Sequence, residues 1–453
     1  MRLVLRQQSN AFPQPWCGNP FACDGSPSGA PQKHSPAAIS TNPPTLPGSR
    51  LNVPQPYRAR HHDFQIKVDQ RLTEKGLRFS VPTGGRWLFE AFGICTPRGR
   101  LQGMRTLGFI FQRFCQNSAM VLRDAPNAIR SERIDALIVG QAELAGGSVA
   151  ERLGLPFVTA ILTLPLNLDP SVPFCVFHSQ LEAGRRAPAR NVVRNVWIRF
   201  MASELCALIN RQRKIWGLQP KAGLDAFYSE PAQVAQVPSG FDFPGRKLPA
   251  AFHYTGPFVD RAARKEISFP WSQLDSSRPL VFVSMGTLQN GIKEVYRVVA
   301  KTCAEFPVQT VLALGGNLAP EALGPLPGDP IIARYAPQLD LLRKSALTVF
   351  HGGLNTALES LSCDVPMIAI PVTFDQPGVG ARLLWTGTGK AIPVHELKSC
   401  RLRAAIREVL GTGRYRAQAK ALQRQISSIR GVERAAELVE RSLAVSRPAV
   451  PVA

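Results

Sequence analysis

The second half of the chain shows short apolar runs that alternate with amphipathic stretches. The apolar runs predict strands at 280–284, 310–314, 331–333, 348–350 and 367–370. The amphipathic stretches predict helices near 292–305, 339–345, 354–362 and 377–386, with a further helical region over 399–443. Strands that alternate with helices in this way form a doubly wound parallel sheet. We therefore expect an α/β domain here.

The first half contains a shorter version of the same pattern. Residues 134–139 form an apolar run, a turn through Gly146 and Gly147 leads into a helix, and a second apolar run covers 156–161. A strand, a helix and a strand at this spacing predict a βαβ unit. The sequence therefore predicts a second parallel sheet.

Residues 1–62 differ from the rest of the chain. They are rich in Pro and Ser, their only acidic residue is Asp24, and no apolar period persists. Three interpretations remain open for this segment: a disordered tail, an organelle transit peptide, or an incorrectly assigned gene start. The folded pattern begins with an amphipathic helix that we predict between the cap Asp63 and the stop Gly76.

Length, charge and cysteine content narrow the class of protein. The chain has 453 residues, which favours two domains because a single core stops growing at roughly 250 to 300 residues. Its net charge of +22 suits nucleic acid, an anionic membrane surface or an anionic small ligand. No nucleic-acid motif accompanies that charge, so nucleic acid is not expected. The nine cysteines contain no Cys-x-x-Cys pair and indicate reduced thiols in the cytoplasm.

A glycine turn follows the first strand of the second series. The strand 280–284 runs into Met285-Gly-Thr-Leu-Gln-Asn-Gly291 and then a helix. Such a turn presents backbone amides at the carboxyl end of a strand, where phosphates bind in α/β domains. The turn alone is weak support, because many turns of this kind merely connect two elements.

Four motifs in the next segment are more specific. They are Tyr335-Ala-Pro-Gln338, His351-Gly-Gly-Leu-Asn-Thr-Ala-Leu-Glu359, Pro366 and Phe374-Asp-Gln-Pro377. Together they resemble the donor-binding signature of the UDP-glycosyltransferases, most closely the zeaxanthin glucosyltransferase branch near the macrolide glycosyltransferases. The resemblance covers most of the chain but does not extend into the first 60 residues.

A helix that begins near Gly353 explains part of this signature physically. Its unpaired amides and the positive end of its dipole point at a diphosphate, to which His351 can also donate. Asn355 and Thr356 add neutral donors. Glu359 lies one turn after Asn355 on the same face, and the resemblance implies that its carboxylate accepts both ribose hydroxyls.

The remaining predicted site residues surround this helix. The resemblance implies that Tyr335 stacks on the base and that Gln338 reaches the ribose. It also implies that Asp375 and Gln376 hold sugar hydroxyls. Further donor-site residues are predicted in the glycine turn: Ser284, Gly286 and Thr287. No Asp-x-Asp pair is present to chelate a metal on the diphosphate, so we expect neither a metal nor another cofactor.

The resemblance also implies the fold and the domain organisation. The fold is expected to be GT-B, with two Rossmann-like doubly wound domains facing a cleft. The predicted segments are an atypical segment 1–62, an acceptor-binding domain 63–250, a linker 251–270, a nucleotide-sugar domain 271–395, C-terminal helices 396–445 and a tail 446–453.

The implied reaction is an inverting transfer of a hexose, with glucose as the first expectation, to a hydroxyl of a lipophilic acceptor such as a carotenoid. In the family a histidine in the first βα turn takes the acceptor proton, and an aspartate after a later strand holds that histidine. Here Gly140-Gln141 stands where relatives have Asp-Gln, and His34, His61 and His62 are poor substitutes for the base. The N-terminal domain is therefore expected to lack its first βα unit, and the catalytic base is not assigned.

Two alternatives to an active transferase stay open. The chain could bind a UDP-sugar without turnover, or be a truncated gene product. A distant third alternative is a basic protein associated with nucleic acid. The expected location is the cytoplasm, with a peripheral contact to a membrane surface and an organelle address both left open.

Overall fold

The computed structural model describes residues 79–80, 104–182, 184, 186–259, 266–287, 290–316 and 318–445. The predictions for residues 1–62, for the helix between Asp63 and Gly76, and for the tail 446–453 lie outside these ranges. The described chain contains two parallel sheets, and both belong to one compact unit.

The first sheet has five parallel strands in the order β1-β2-β3-β4-β5. The strands are Phe79–Ser80 (β1), Ala136–Gly140 (β2), Phe157–Ile161 (β3), Gln233–Ala235 (β4) and Phe252–Tyr254 (β5). The predicted βαβ unit is present as β2 and β3 with a helix between them. Every residue of β3 is buried. A continuous apolar run of this kind fits a parallel strand that is covered on both faces.

Within the described ranges, four helices accompany the first sheet. They are Met104–Ser131 (α1), Leu144–Leu153 (α2), Arg186–Met201 (α3) and Ser203–Ile215 (α4). Only α2 was predicted. Its close packing depends on Gly147, where a Cβ atom would lie 2.8 Å from the backbone oxygen of Phe227. Gly154 then ends α2 in the left-handed conformation, with φ of 67°.

The second sheet has six parallel strands in the order β11-β10-β9-β6-β7-β8. The strands are Leu280–Ser284 (β6), Gln309–Ala313 (β7), Ile331–Ala333 (β8), Ser345–Phe350 (β9), Met367–Ala369 (β10) and Gly389–Ala391 (β11). Five of the six were predicted to within a few residues, and β11 was not. The strand order reverses between β6 and β9, so a crevice forms beyond their carboxyl ends, where α/β sheets bind ligands.

The helices of the second sheet match the predicted positions. They are Lys293–Cys303 (α5), Gln338–Leu342 (α6), Leu354–Ser362 (α7) and Gln376–Thr386 (α8). Short 3-10 turns occur at Asp225–Phe227, Ser239–Phe241, Trp271–Gln273, Pro320–Leu323 and Val394–Glu396.

The predicted C-terminal helical region consists of three helices. They are Ser399–Gly411 (α9), Arg414–Ser428 (α10) and Gly431–Val445 (α11). The last helix returns to the first sheet, where Val432, Ala435 and Val439 pack in one buried cluster with Val158 and Val234. Helix α11 thus packs on the first sheet although it follows the second sheet in the sequence. Across the described ranges, no helix is long and apolar enough to cross a membrane.

The predicted linker 251–270 overlaps a strand of the first sheet. Phe252–Tyr254 pairs in parallel with β4, with Val234 opposite His253. The start of the linker therefore moves to a position after Tyr254. The Pro and Gly residues of this passage suggested a linker, but the three residues Phe252–Tyr254 are enough to add a strand to the sheet.

A buried ion pair joins the two halves. Asp242 follows β4, and its carboxylate accepts a hydrogen bond of 2.9 Å from Nε of Arg382 on α8. The Tyr254 hydroxyl donates to the same carboxylate at 2.8 Å. Burial acts to raise the pKa of Asp242, but Arg382 and Arg246 outweigh it and lower that pKa to about 2. The pair is therefore charged under ordinary conditions.

Candidate functional site

The carboxyl ends of β6 and β9 meet at the crevice of the second sheet. Ser284 ends β6, and the backbone N–H of His351, which follows β9, donates to the Ser284 carbonyl at 3.3 Å. Two glycines press against the imidazole of His351. A Cβ atom on Gly286 would lie 2.7 Å from this ring, and one on Gly353 would lie closer still. Glycine is therefore required at both positions for the histidine to sit between the two loops.

Helix α7 begins directly after this histidine. Gly353 is its N-cap residue, and the helix covers Leu354–Ser362. Its first-turn amides have no partners within the helix, and they carry the positive end of the helix dipole. The structure thus brings His351 and the amides near Asn355 to the same edge of the sheet. This arrangement suits an anion such as a diphosphate.

Gln338, Thr356 and Glu359 form a buried cluster beside α7. The Gln338 side-chain amide donates to the Glu359 carboxylate at 2.5 Å and lies 3.4 Å from the Thr356 hydroxyl. Glu359 is only 1% exposed. A buried carboxylate needs hydrogen-bond donors, and Gln338 supplies one from the neighbouring helix α6. Three of the predicted site residues are therefore brought into direct contact.

Asn355 connects this edge with the first sheet. Its side-chain oxygen accepts a 2.7 Å hydrogen bond from Gln236, which directly follows β4. Gln236 also donates to the carbonyl of Leu162, just after β3. The carboxyl edges of the two sheets consequently face each other at the beginning of α7, as a two-domain cleft requires.

Asp375 and Gln376 lie at the beginning of α8. The Asp375 carboxylate accepts a hydrogen bond of 3.1 Å from the backbone N–H of Leu164, in the loop after β3. Burial raises the pKa of Asp375 to about 6, although this hydrogen bond opposes the shift. The Gln376 side chain accepts from the backbone of Val372 and Thr373 at 2.8 and 3.1 Å. Both side chains thus hold loops in place, and their contact with sugar hydroxyls stays a prediction.

Tyr335 and Thr287 lie at the outer rim of the crevice. Both are half-buried. The Tyr335 hydroxyl lies so close to Gly316 that a Cβ atom at that glycine would overlap it. Tyr335 therefore closes against the loop after β7, and stacking on a base stays a prediction.

Comparison with known proteins decides the family. The family model for UDP-glucoronosyl and UDP-glucosyl transferase matches residues 189–433, more than half of the chain. Zeaxanthin glucosyltransferase from Pantoea ananas is 30% identical over 350 residues, which cover 75% of this chain and 79% of that protein. The chain belongs to this UDP-glycosyltransferase family. It is a glycosyltransferase of the type that uses a nucleotide sugar.

Solved structures of glycosyltransferases share its fold. The calicheamicin glycosyltransferase CalG4 aligns with a TM-score of 0.61 at 20% identity, covering 84% of this chain and 94% of that one. The glycosyltransferase VinC, solved in complex with DTDP, aligns with a TM-score of 0.57 at 19% identity, covering 86% and 97%. The predicted GT-B fold is confirmed. Whether an opening βα unit is missing concerns residues outside the described ranges.

The first sheet of this UDP-glycosyltransferase contributes the other side of the cleft. Gly140 is the last residue of β2, one position later than the predicted strand end, and a Cβ atom there would meet nothing within 4 Å. Gln141 next to it is 3% exposed and orders the loop after β3. Its side chain donates to the Leu164 carbonyl at 3.0 Å and accepts from the Leu166 N–H at 3.1 Å. There is thus open space where the resemblance implies an aspartate.

Glu143 is a buried acidic residue that sequence reasoning did not identify. It lies in the turn between β2 and α2, and its carboxylate accepts hydrogen bonds from the side chains of Asn117 and Ser118 on α1. Burial raises its pKa to about 7, while these donors and the Ala145 N–H act in the opposite direction. An acidic residue in the short turn between a buried strand and the next helix is the signal that could have revealed it.

The described side chains offer no obvious metal site. Within the ranges that the structure describes, no three His, Cys, Asp or Glu side chains are grouped so that they could hold a metal ion. Metal independence remains a prediction that rests on the sequence and on the helix terminus beside His351.

Proposed function

We propose that this UDP-glycosyltransferase transfers a hexose, glucose, from a UDP-sugar to a hydroxyl of a lipophilic acceptor such as a carotenoid, with inversion. The observation that carries the proposal is the buried contact between Gln338 and Glu359 beside the start of α7. Glu359 lies one helical turn after Asn355 on α7, which supports its proposed role as the ribose acceptor beside the predicted diphosphate site. Similarity to zeaxanthin glucosyltransferase supports glucose and a carotenoid as the first substrates to test.

The proposed chemistry is a single displacement. The acceptor oxygen forms a bond to the anomeric carbon as the bond from that carbon to the diphosphate breaks, and the acceptor proton passes to a base. Negative charge grows on the leaving UDP during this step. In this proposal the amides at the start of α7 and the imidazole of His351 stabilise that charge without a metal.

A second candidate function is UDP-sugar binding without efficient turnover. The observation in its favour is Gly140, which has no side chain to orient a base. A positioned general base typically contributes ~10² to 10⁴-fold to a rate. For this second candidate we expect the chain to bind UDP-glucose but to transfer glucose slowly.

The experiment measures release of the nucleoside diphosphate by the full chain with zeaxanthin and one of three donors: UDP-glucose and UDP-galactose, which release UDP, or TDP-glucose, which releases TDP. The same assay is run on Gly140→Asp, for which the structure leaves room. We expect the highest rate with UDP-glucose and a faster reaction in Gly140→Asp. UDP-glucose that binds but is not turned over by either protein favours the second candidate, and no binding of any of these donors refutes both.

The proposed setting is the cytoplasm, without nucleic acid as a partner. The six cysteines in the described part of the chain are all free thiols, including the exposed Cys400. Free thiols at these positions are consistent with a reducing compartment.

A further inference from the structure

Helix α3 presents four large apolar side chains to the outside, although Ala187 and Ile198 are buried. Asn191 and Asn195 are buried, at 2% and 7% exposure. Large apolar side chains lie on the outer face with exposures of 47%, 69%, 60% and 73%: Val192, Val193, Val196 and Phe200. This outer face is called the α3 stripe below. A helix on the surface of a water-soluble domain normally has the opposite orientation.

Arginines border the α3 stripe on both sides. At about 3.6 residues per turn, Arg199 lies about two turns from Val192 along one edge of the stripe, and Arg186 lies about two turns from Val193 along the other. The helix sequence contains four arginines and no acidic residue. An apolar face between cationic edges is the pattern of a helix that lies in the plane of an anionic membrane.

The following helix adds to the positive charge of this region. Helix α4 begins two residues after α3 ends and lines a cavity of about 680 Å³ with Arg211. Arg123, Arg130 and Arg152 line the same cavity from α1 and α2. No residue of α3 lines this cavity, but its guanidinium groups add positive charge to the first domain, and positive charge favours anionic headgroups.

We propose that the α3 stripe docks this protein on an anionic lipid membrane, with Phe200 and the valines inserted among the acyl chains and the flanking arginines at the headgroups. The choice of a membrane over a protein partner rests on charge complementarity. The stripe has cations along both edges, its helix has no acidic residue, and the whole chain has a net charge of +22. The inference does not depend on the donor site or on the proposed acceptor.

The test is co-sedimentation of the full chain with vesicles. One set contains phosphatidylcholine alone and the other contains phosphatidylcholine mixed with phosphatidylglycerol. We expect binding to the anionic set only, with weaker binding at high salt because exposed charges are screened. The double variant Val196→Ser, Phe200→Ser should bind these vesicles about tenfold more weakly or worse, since interfacial binding scales with the apolar area inserted.

The matched control is Trp271→Ser. Trp271 is 40% exposed and lies on the second domain, away from α3 in the sequence. The Trp271→Ser variant should bind anionic vesicles as well as the native protein does. Thermal melting should show that the α3 variant is folded.

Three results overturn the proposal. One is absence of binding to anionic vesicles, and another is equal binding of the native chain and the α3 variant. The third is a native dimer that the α3 variant converts to a monomer, which would assign the stripe to contact between copies of this chain.

Discussion

The ion pair between Asp242 and Arg382 offers a quantitative test of how the two domains are held together. Arg382 is fully buried, and the side chain of Asp242 is 1% exposed. The guanidinium also donates to the Gly378 carbonyl at 3.0 Å and stacks on the Phe243 ring at 4.4 Å from its centroid. Asp242→Asn keeps the shape of the side chain but removes its charge. The substitution therefore leaves Arg382 buried without its counter-charge.

Two magnitudes follow from this geometry. Removing one partner of a buried pair typically costs about 3 to 5 kcal/mol of unfolding free energy, because the other charge is left uncompensated. Protonating Asp242 at low pH costs less unfolding free energy than the substitution does. The pKa of Asp242 is lowered from 3.8 to about 2, which corresponds to about 2 kcal/mol of stability. A lowered carboxyl pKa gives stability that is present above the unfolded-state value near 3.8 and is lost as the pH falls towards 2.

The assay is urea unfolding at pH 7 and at pH 3, monitored by far-UV circular dichroism. The control is Glu305→Gln, which breaks an exposed pair with Arg403 on the surface. We expect a large loss of stability for Asp242→Asn at pH 7, a smaller difference from the native protein at pH 3, and little change for the control. If Asp242→Asn loses no more stability than Glu305→Gln, the pair does not hold the domains together.

Three further predictions concern the donor site and the first sheet. His351→Ala should weaken UDP binding by ~1 to 3 kcal/mol in calorimetric titration, the range for losing a buried or charge-assisted hydrogen bond; unchanged affinity counts against the site. EDTA should leave UDP affinity unchanged, because α7 and His351 supply the positive potential; a loss that Mg²⁺ restores argues for a metal. Glu143→Gln should stabilise the protein more at pH 8 than at pH 5, by up to about 3 kcal/mol of unfolding free energy. The reason is that the raised pKa of Glu143, about 7, gives the native protein stability that is lost as the pH rises from 4.5 through 7, whereas glutamine does not titrate. Unfolding midpoints that differ equally at both pH values contradict a raised pKa.

The second domain was predictable because each of its signals is local. The strand Leu280–Ser284 is a continuous apolar run, and α7 begins directly after a pair of glycines. An apolar run or a glycine turn of this kind predicts its strand or helix from neighbouring residues alone. His351 and Gly353 meet because both lie in the short turn between β9 and α7, and Glu359 follows on the same helix.

The first sheet was harder to predict because long-range contacts define it. Strands β4 and β5 have three residues each, and they become strands only by pairing with β3 and with each other. Helix α3 was missed because four of its large apolar residues face outwards while two asparagines share the buried face with Ala187 and Ile198, which removes the usual pattern. The hydrogen bond from Leu164 to Asp375 was not predicted because the two residues are far apart in the sequence and no motif contains both.

The central claim, that Glu359 binds the ribose of a UDP-sugar beside α7, is tested most directly by titrating UDP and 2′,3′-dideoxy-UDP into the native chain and into Glu359→Gln. Glu321→Gln, which changes an exposed glutamate of the same domain, is the control. A hydrogen bond to a charged group contributes about 1.5 to 3 kcal/mol, so the native chain should prefer UDP by roughly 10 to 100-fold. That preference should persist in Glu321→Gln and largely disappear in Glu359→Gln. A native chain that binds both nucleotides equally, or a Glu359→Gln variant that keeps the full preference, contradicts the account.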